Sequence, residues 1–272
     1  MSAQGTWLRD AGMAERSAWG VGGTAQFVYT PADADDLRRF LASLRLDEPM
    51  LVSGTGSRVV VRQGGLQGVV ISTAKLSRIE FTDVGVYVEA GALCARVGHV
   101  CAQHHHGALA WLAGVPGSVG GALRTNIGVG KHSVWSKVRA VKTVDRHGHA
   151  HERQVTEFGI DSTWAGATRH SDEIVLGVWM NGGREKTHTP VAMAGARTVT
   201  QLFAIDSLPH VLAAGPVLAG AVRLDKETAQ LHLDATAEAA DLESAIEQLC
   251  AAASQQAGRA VNCRLRFVGA RG

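Results

Sequence analysis

Gly54-Thr-Gly-Ser-Arg-Val-Val-Val-Arg-Gln-Gly-Gly-Leu-Gln-Gly-Val-Val-Ile71 is the run of residues from which the rest of the chain is most easily read. It follows a short apolar strand, Pro49-Met-Leu-Val-Ser53, and opens on a glycine turn at Gly54–Ser57. Two further apolar strands follow, Val59–Val61 and Gly68–Ser72. Glycine weakens a strand or helix by roughly 0.5–1 kcal/mol. Glycines clustered between strands therefore mark tight turns, as in any loop-rich small domain, or places where backbone approaches a ligand. After a buried strand, such a turn lets backbone N–H groups face an anion, and Ser57 adds a hydroxyl donor.

Reading toward the N-terminus, Gln26–Thr30 alternates as a strand does. Pro31-Ala-Asp-Ala-Asp-Asp36 then supplies an Asp cap for a helix whose apolar face is Leu37, Phe40, Leu41 and Leu44. In the other direction, Ile79–Phe81 and Gly85–Ala90 read as strands and Leu93–Gln103 as a helix that sets Cys94 and Cys101 on one face. Trp111–Arg124 reads as a turn and then a short helix. The first N–H groups of that helix would favour an anion by roughly 0.3–1 kcal/mol. Two anion-friendly turns suit a dinucleotide. The GxGxxG arrangement is excluded, because no strand, glycine turn and long helix with a later acid occur in series.

Val138–Val144, Gln154-Val-Thr156 and Glu173–Met180 read as strands, and the polar, breaker-rich Gly182–Pro190 as a linker. Beyond it glycine thins and alanine rises. A helix near 238–257 carries Leu242, Ile246 and Leu249 toward a short sheet that includes Leu231–Ala235, and Cys263–Val268 is a terminal strand. Strands and helices in this order give an α+β fold.

The chain has 272 residues with 46% hydrophobic types, enough for one sizeable core or two to three small ones. Lys and Arg number 27 against 25 Asp and Glu, so no basic nucleic-acid footprint is expected. No apolar run reaches the roughly 18 residues that span a bilayer. The first ten residues carry no basic head followed by an apolar stretch, so a cytoplasmic location is expected. The four cysteines form no CxxC pair and read as buried thiols. His104–His106 at a helix end, and His147, His149 and His151 around a hairpin turn, read as solvated surface, and no metal is expected.

Three strings in order, Trp19-Gly-Val-Gly-Gly-Thr-Ala25, Gly54–Ile71 and Leu112-Ala-Gly-Val-Pro-Gly-Ser-Val-Gly-Gly-Ala-Leu-Arg-Thr-Asn126, give the chain a family resemblance. It resembles the UDP-N-acetylenolpyruvoylglucosamine reductases (UDP-N-acetylmuramate dehydrogenases), closely from Trp19 to Asn126 and more loosely to Gly269. The resemblance implies a two-subdomain FAD-binding fold of the vanillyl-alcohol oxidase type (1–73 and 74–182) with a small α+β C-terminal domain (183–272). It implies FAD held without a covalent link, NADPH as the candidate reductant, and a small-molecule substrate. The implied FAD contacts are Gly54, Thr55, Gly56, Ser57, Val70, Gly114, Val115, Pro116, Gly117, Ser118, Gly121 and Asn126. Arg58 stands where the family has Asn and would add a charge beside the phosphates.

The same resemblance marks departures. Anchored on Phe203, the family's proton-donating serine falls on Gln201, which cannot serve as an acid. Anchored on Arg266–Gly269, its C-terminal glutamate falls on Arg264. Its serine-x-x-histidine segment falls on Asp225–Thr228, and its tyrosine-arginine pair on Thr168-Arg169. A general acid contributes roughly 10²–10⁴-fold, so these exchanges point to chemistry lost or replaced. The expectation is a flavin-dependent oxidoreductase acting on a different small substrate, with Arg169, Gln201 and Arg264 as catalytic candidates and His132 as a further one. The alternatives are the family's own reduction with substituted residues, and a non-redox protein reusing the fold.

Overall fold

The computed structural model describes residues 4–129, 132–160, 170, 172–183, 197–213 and 218–272. Packing divides the chain into two compact units, each drawn from segments distant in sequence. The first holds Met1–Leu8, Val28–Thr55 and Val69–Met193, and the second Arg9–Phe27, Gly56–Gly68 and Ala194–Gly272.

A four-stranded sheet has the order Thr6–Gly12, Thr24–Thr30, Leu66–Ser72, Met50–Ser53. Its parallel pair sets Leu51 beside Val70 and Ser53 beside Ser72, which fixes where the chain leaves the strand at Gly54. Strand Thr6–Gly12 has no counterpart in the sequence reading. Only Ala11 of its seven residues is buried, so no alternation announces it.

In the first unit, helix Ala34–Ser43 has the expected Asp cap, and the structure shows it to be Asp33, whose side chain accepts the Asp36 N–H at 2.7 Å. Leu37, Phe40 and Leu41 are buried, but Leu44, expected on the same face, is already extended and lies past the helix end. Asp36 is buried too, accepting hydrogen bonds from Tyr29 Oη (2.6 Å) and the amides of Gln4 (2.6 Å) and Ala32 (2.9 Å). Burial opposes its ionisation, yet these bonds and nearby Arg39 outweigh it and hold the carboxyl below its ordinary range.

An antiparallel five-stranded sheet completes this unit, in the order Ala150–Gln154, Val138–Val144, Ile174–Met180, Gly85–Glu89, Ile79–Thr82. Val86, Val88, Val178 and Met180 share a core with Val97 and Cys101 of helix Cys94–Gln103, Leu109 and Leu112 of the 3₁₀ helix Gly107–Gly114, and Leu123 of helix Val119–Arg124. The strand expected at Gln154–Thr156 instead ends at Gln154. Val155–Phe158 is a 3₁₀ turn, closed by the Glu157 carboxylate accepting the Gln154 N–H at 2.6 Å. Asp145 sets the histidine-rich hairpin turn by accepting the amides of His147 and His149, each at 2.9 Å. At the other histidine cluster, the rings of His104 and His106 stack on Phe81, at 4.4 and 5.2 Å.

In the second unit, Val59–Val61 pairs in parallel with Arg266–Val268. The strand expected to begin at Cys263 is thus shorter, leaving Cys263, Arg264 and Leu265 ahead of it. Leu242, Ile246 and Leu249 of helix Ala239–Ala257 are buried with Val222, Leu224 and Leu231 of a small antiparallel sheet. Arg62 grips Glu243 through Nε (3.0 Å) and Nη2 (2.7 Å). Of the expected linker Gly182–Pro190, residues 184–190 lie outside the described residues. Among the described residues no helix is long and apolar enough to cross a membrane.

Candidate functional site

The chemistry available at Gly54–Ser57 is that of its backbone. Strand pairing stops with Thr73 N–H donating to Ser53 C=O at 3.0 Å. Among the described residues, none accepts the next four amides, those of Gly54, Thr55, Gly56 and Ser57. Amides left unpaired in a turn are available donors for an anion.

In the first unit, Gly54 packs directly on Ser118. A Cβ at Gly54 would stand 2.2 Å from Ser118 Oγ, so only glycine fits without displacement. The amides of Gly117 and Ser118 likewise meet no acceptor among the described residues, and they lie beside Gly54 by that contact. The donor set of this unit is therefore Gly54, Thr55, Gly117 and Ser118.

In the second unit, Gly56 adopts φ +63° and a Cβ there would meet Arg16 O at 2.2 Å. The turn is braced by Ala18 N–H donating to Gly56 C=O (3.3 Å) and Trp19 Nε1–H donating to Ser57 C=O (3.2 Å). Trp19, fully buried, thus has a positioning role that the glycine string around it did not reveal.

The short helix Val119–Arg124 corrects one expectation. Its first amides do not face an anion. Val119 N–H donates to Ala92 C=O (2.9 Å), Gly120 N–H to Ala90 C=O (2.8 Å), and Gly121 N–H points to Ser118 Oγ (3.4 Å). The preceding turn carries the free donors instead. Ala90 and Ala92 act through carbonyls, which no residue type signals.

The other candidates are placed as follows. Val115 belongs to the first unit's core and Val70 to its parallel strand pair. Both are 1% exposed, backbone included, so neither presents a surface to a ligand in this structure. Gly114 is buried at the end of the 3₁₀ helix, and Pro116 is half-buried. Asn126, in the left-handed region at φ 43°, accepts Ser133 Oγ–H at 2.7 Å through Oδ1. Among the described residues no group of three or more His, Cys, Asp or Glu is placed to hold a metal.

Residues 25–154 match the FAD binding domain family. The UDP-N-acetylenolpyruvoylglucosamine reductase of Methylococcus capsulatus is 42% identical over 160 residues, 58% of this chain and 53% of that protein. The same reductase of Nitrosococcus oceani is 44% identical over 157 residues, 57% of this chain and 53% of that protein. The crystal structure of UDP-N-acetylenolpyruvylglucosamine reductase (MurB) from Thermus caldophilus superposes with a TM-score of 0.71 at 17% identity, covering 98% of this chain and 99% of that one. The chain resembles the UDP-N-acetylenolpyruvoylglucosamine reductases in sequence and shares their fold.

Its match spans about half the length of these curated reductases. Of the positions carried over from the reductases, Arg169 lies outside the described residues, and the side chain of His132 is not described. Gln201 and Arg264 come together in the second unit. Gln201 is buried on the short helix Val199–Leu202, and the next carbonyl, Leu202 C=O, accepts the Arg264 N–H at 2.8 Å. Arg58 joins them, its Nη2 donating to Gln201 Oε1 at 3.5 Å. Sequence reasoning had named all three residues but had not joined Arg58 to the other two.

Proposed function

We propose that the protein is an FAD-dependent oxidoreductase that takes electrons from NADPH and acts on a small substrate other than the reductases' enolpyruvyl UDP-sugar. The observation that carries the cofactor is the row of four consecutive amides, Gly54 to Ser57, with no acceptor among the described residues. Unpaired amide donors of this kind suit a diphosphate, and Gly117 and Ser118 add two donors beside Gly54 in the first unit. The match of residues 25–154 to the FAD binding domain family supports the same reading. The chemistry a bound flavin supplies is hydride transfer. In this reading regions 1–73 and 74–182 hold the cofactor, and 183–272 selects the substrate.

The change of substrate rests on the second unit. An amide (Gln201) and a guanidinium (Arg264) stand at the positions that resemblance assigns to the proton donor and the assisting glutamate. Neither releases a proton at neutral pH. The second reading, the reductase activity itself, is favoured by 42–44% identity over the matched stretch.

The test is direct. Purified protein should be yellow, bleach anaerobically with NADPH, and recover on addition of acceptor. NADPH consumption that depends on the enolpyruvyl UDP-sugar would replace the first reading by the second. A colourless protein that takes up no FAD would sink both.

A further inference from the structure

The second unit contains a half-buried arginine, Arg58, without a counter-charge among the described residues. Arg58 Nη1 is sealed from solvent and has no hydrogen-bond partner, and no acid pairs with Arg58 among the described residues. Its one contact, to Gln201 Oε1, is long at 3.5 Å. Arg264 is near enough for its charge to act on Arg58. Burial first, and Arg264 second, push the Arg58 pKa down to about 10. Backbone pairing fixes this neighbourhood. Arg58 C=O accepts the Arg266 N–H at 3.0 Å, and Arg264 N–H reaches Leu202 C=O at 2.8 Å, one residue from Gln201.

A guanidinium held in place by rigid backbone pairing, with Nη1 sealed from solvent and unpaired, destabilises the protein unless something offsets its charge. Guanidinium forks match carboxylate and phosphate oxygens. We propose that Arg58, with Gln201 and Arg264 beside it, forms an oxyanion-binding site in the second unit. Its ligand is a carboxylate or phosphate group, belonging either to a small-molecule substrate or to the flavin diphosphate. Arg58 binds the oxyanion directly, Gln201 orients the guanidinium, and Arg264 adds positive potential.

The experiment uses the full chain stripped of flavin, in low-salt zwitterionic buffer. Inorganic phosphate and pyruvate are titrated calorimetrically into the unchanged protein, Arg58→Gln and Arg58→Lys. FAD binding is followed separately by quenching of its fluorescence. The unchanged protein should bind at least one probe, and Arg58→Gln should weaken it by about tenfold or more, as loss of a charged hydrogen bond does. Arg58→Lys should retain part of the affinity. Without probe, Arg58→Gln should melt no lower than the unchanged protein, because it removes an uncompensated, half-buried charge. If FAD displaces the probe and Arg58→Gln weakens FAD as well, the oxyanion is the flavin's. If FAD and probe bind together, it belongs to a second molecule. The proposal is overturned if neither probe nor FAD affinity depends on Arg58, or if Arg58→Gln only lowers the melting temperature. Failure of the unchanged protein to take up FAD would count against the cofactor reading alone, since the probe titrations do not require flavin.

Discussion

Gly54 lies so close to Ser118 that a single methyl group on it would stand 2.2 Å from the serine Oγ and 3.1 Å from its Cβ. A strand end and a helix cap are thereby locked together in the first unit, beside four amides with no acceptor among the described residues. Gly54→Ala should force Ser118 aside and cost about 1–3 kcal/mol, as overpacking does. Thermal unfolding and FAD titration should both register the change. Ser118→Ala should cost about 0.5–2 kcal/mol through loss of the cap on Gly121. The double variant should be less destabilised than the sum, because removing Oγ leaves only the 3.1 Å approach. Strict additivity would show that the two residues do not press on each other.

Acid should weaken the first unit in a defined window. The Asp36 carboxyl is held below its ordinary range. That of Glu173 is held near pH 2: burial opposes its ionisation, but hydrogen bonds from Arg153 and Thr143 outweigh it. Folded-state values below the unfolded ones mean stabilisation that is complete above the unfolded pKa, near 4, and lost as pH falls through the folded values. Urea midpoints should be flat above about pH 5 and fall between about pH 5 and 2. Glu173→Gln should remove part of that slope, with a loss on the order of 1–3 kcal/mol at neutral pH. An unchanged slope would discount the group.

Glu243 should matter more than a surface acid. It is gripped by Arg62 and approached by Arg271 at 3.3 Å, with its side chain 11% exposed. Glu243→Ala leaves Arg62 half-buried without its partner and should cost about 1.5–3 kcal/mol in chemical unfolding. Glu247, whose side chain is 62% exposed, should cost under about 1 kcal/mol on the same change.

Cys94 and Cys101 are free, buried, and pushed up to about 12 by burial. A thiol reagent should leave both untouched in native protein at pH 8 and modify them on unfolding. Rapid native labelling of either would contradict the packing of helix Cys94–Gln103.

What the sequence disclosed follows its chemistry. Helical spacing located helix Ala34–Ser43 from Leu37, Phe40 and Leu41 and helix Ala239–Ala257 from Leu242, Ile246 and Leu249, because burial selects those side chains. The glycines announced the turn at Gly54–Ser57. The sequence did not disclose which amides stay free. Among the described residues Gly117 and Ser118 hold that property, while Val119 and Gly120 are spent on Ala92 and Ala90, and only tertiary backbone pairing decides between them. Strand Thr6–Gly12 escaped because it buries almost nothing. The meeting of Arg58 with Gln201 escaped because 143 positions separate them and no local pattern links them.

The parallel pairing of Val59–Val61 with Arg266–Val268 also dictates timing at the ribosome. The earlier strand leaves the exit tunnel roughly two hundred residues before its mate, a wait of roughly 10–40 s at about 5–20 residues per second. Throughout that interval Trp19 and Val60 lack their late-synthesised neighbours in the apolar cluster of the second unit. The nascent polypeptide is thus exposed to chaperone capture or misassociation until Arg266–Val268 has cleared the tunnel.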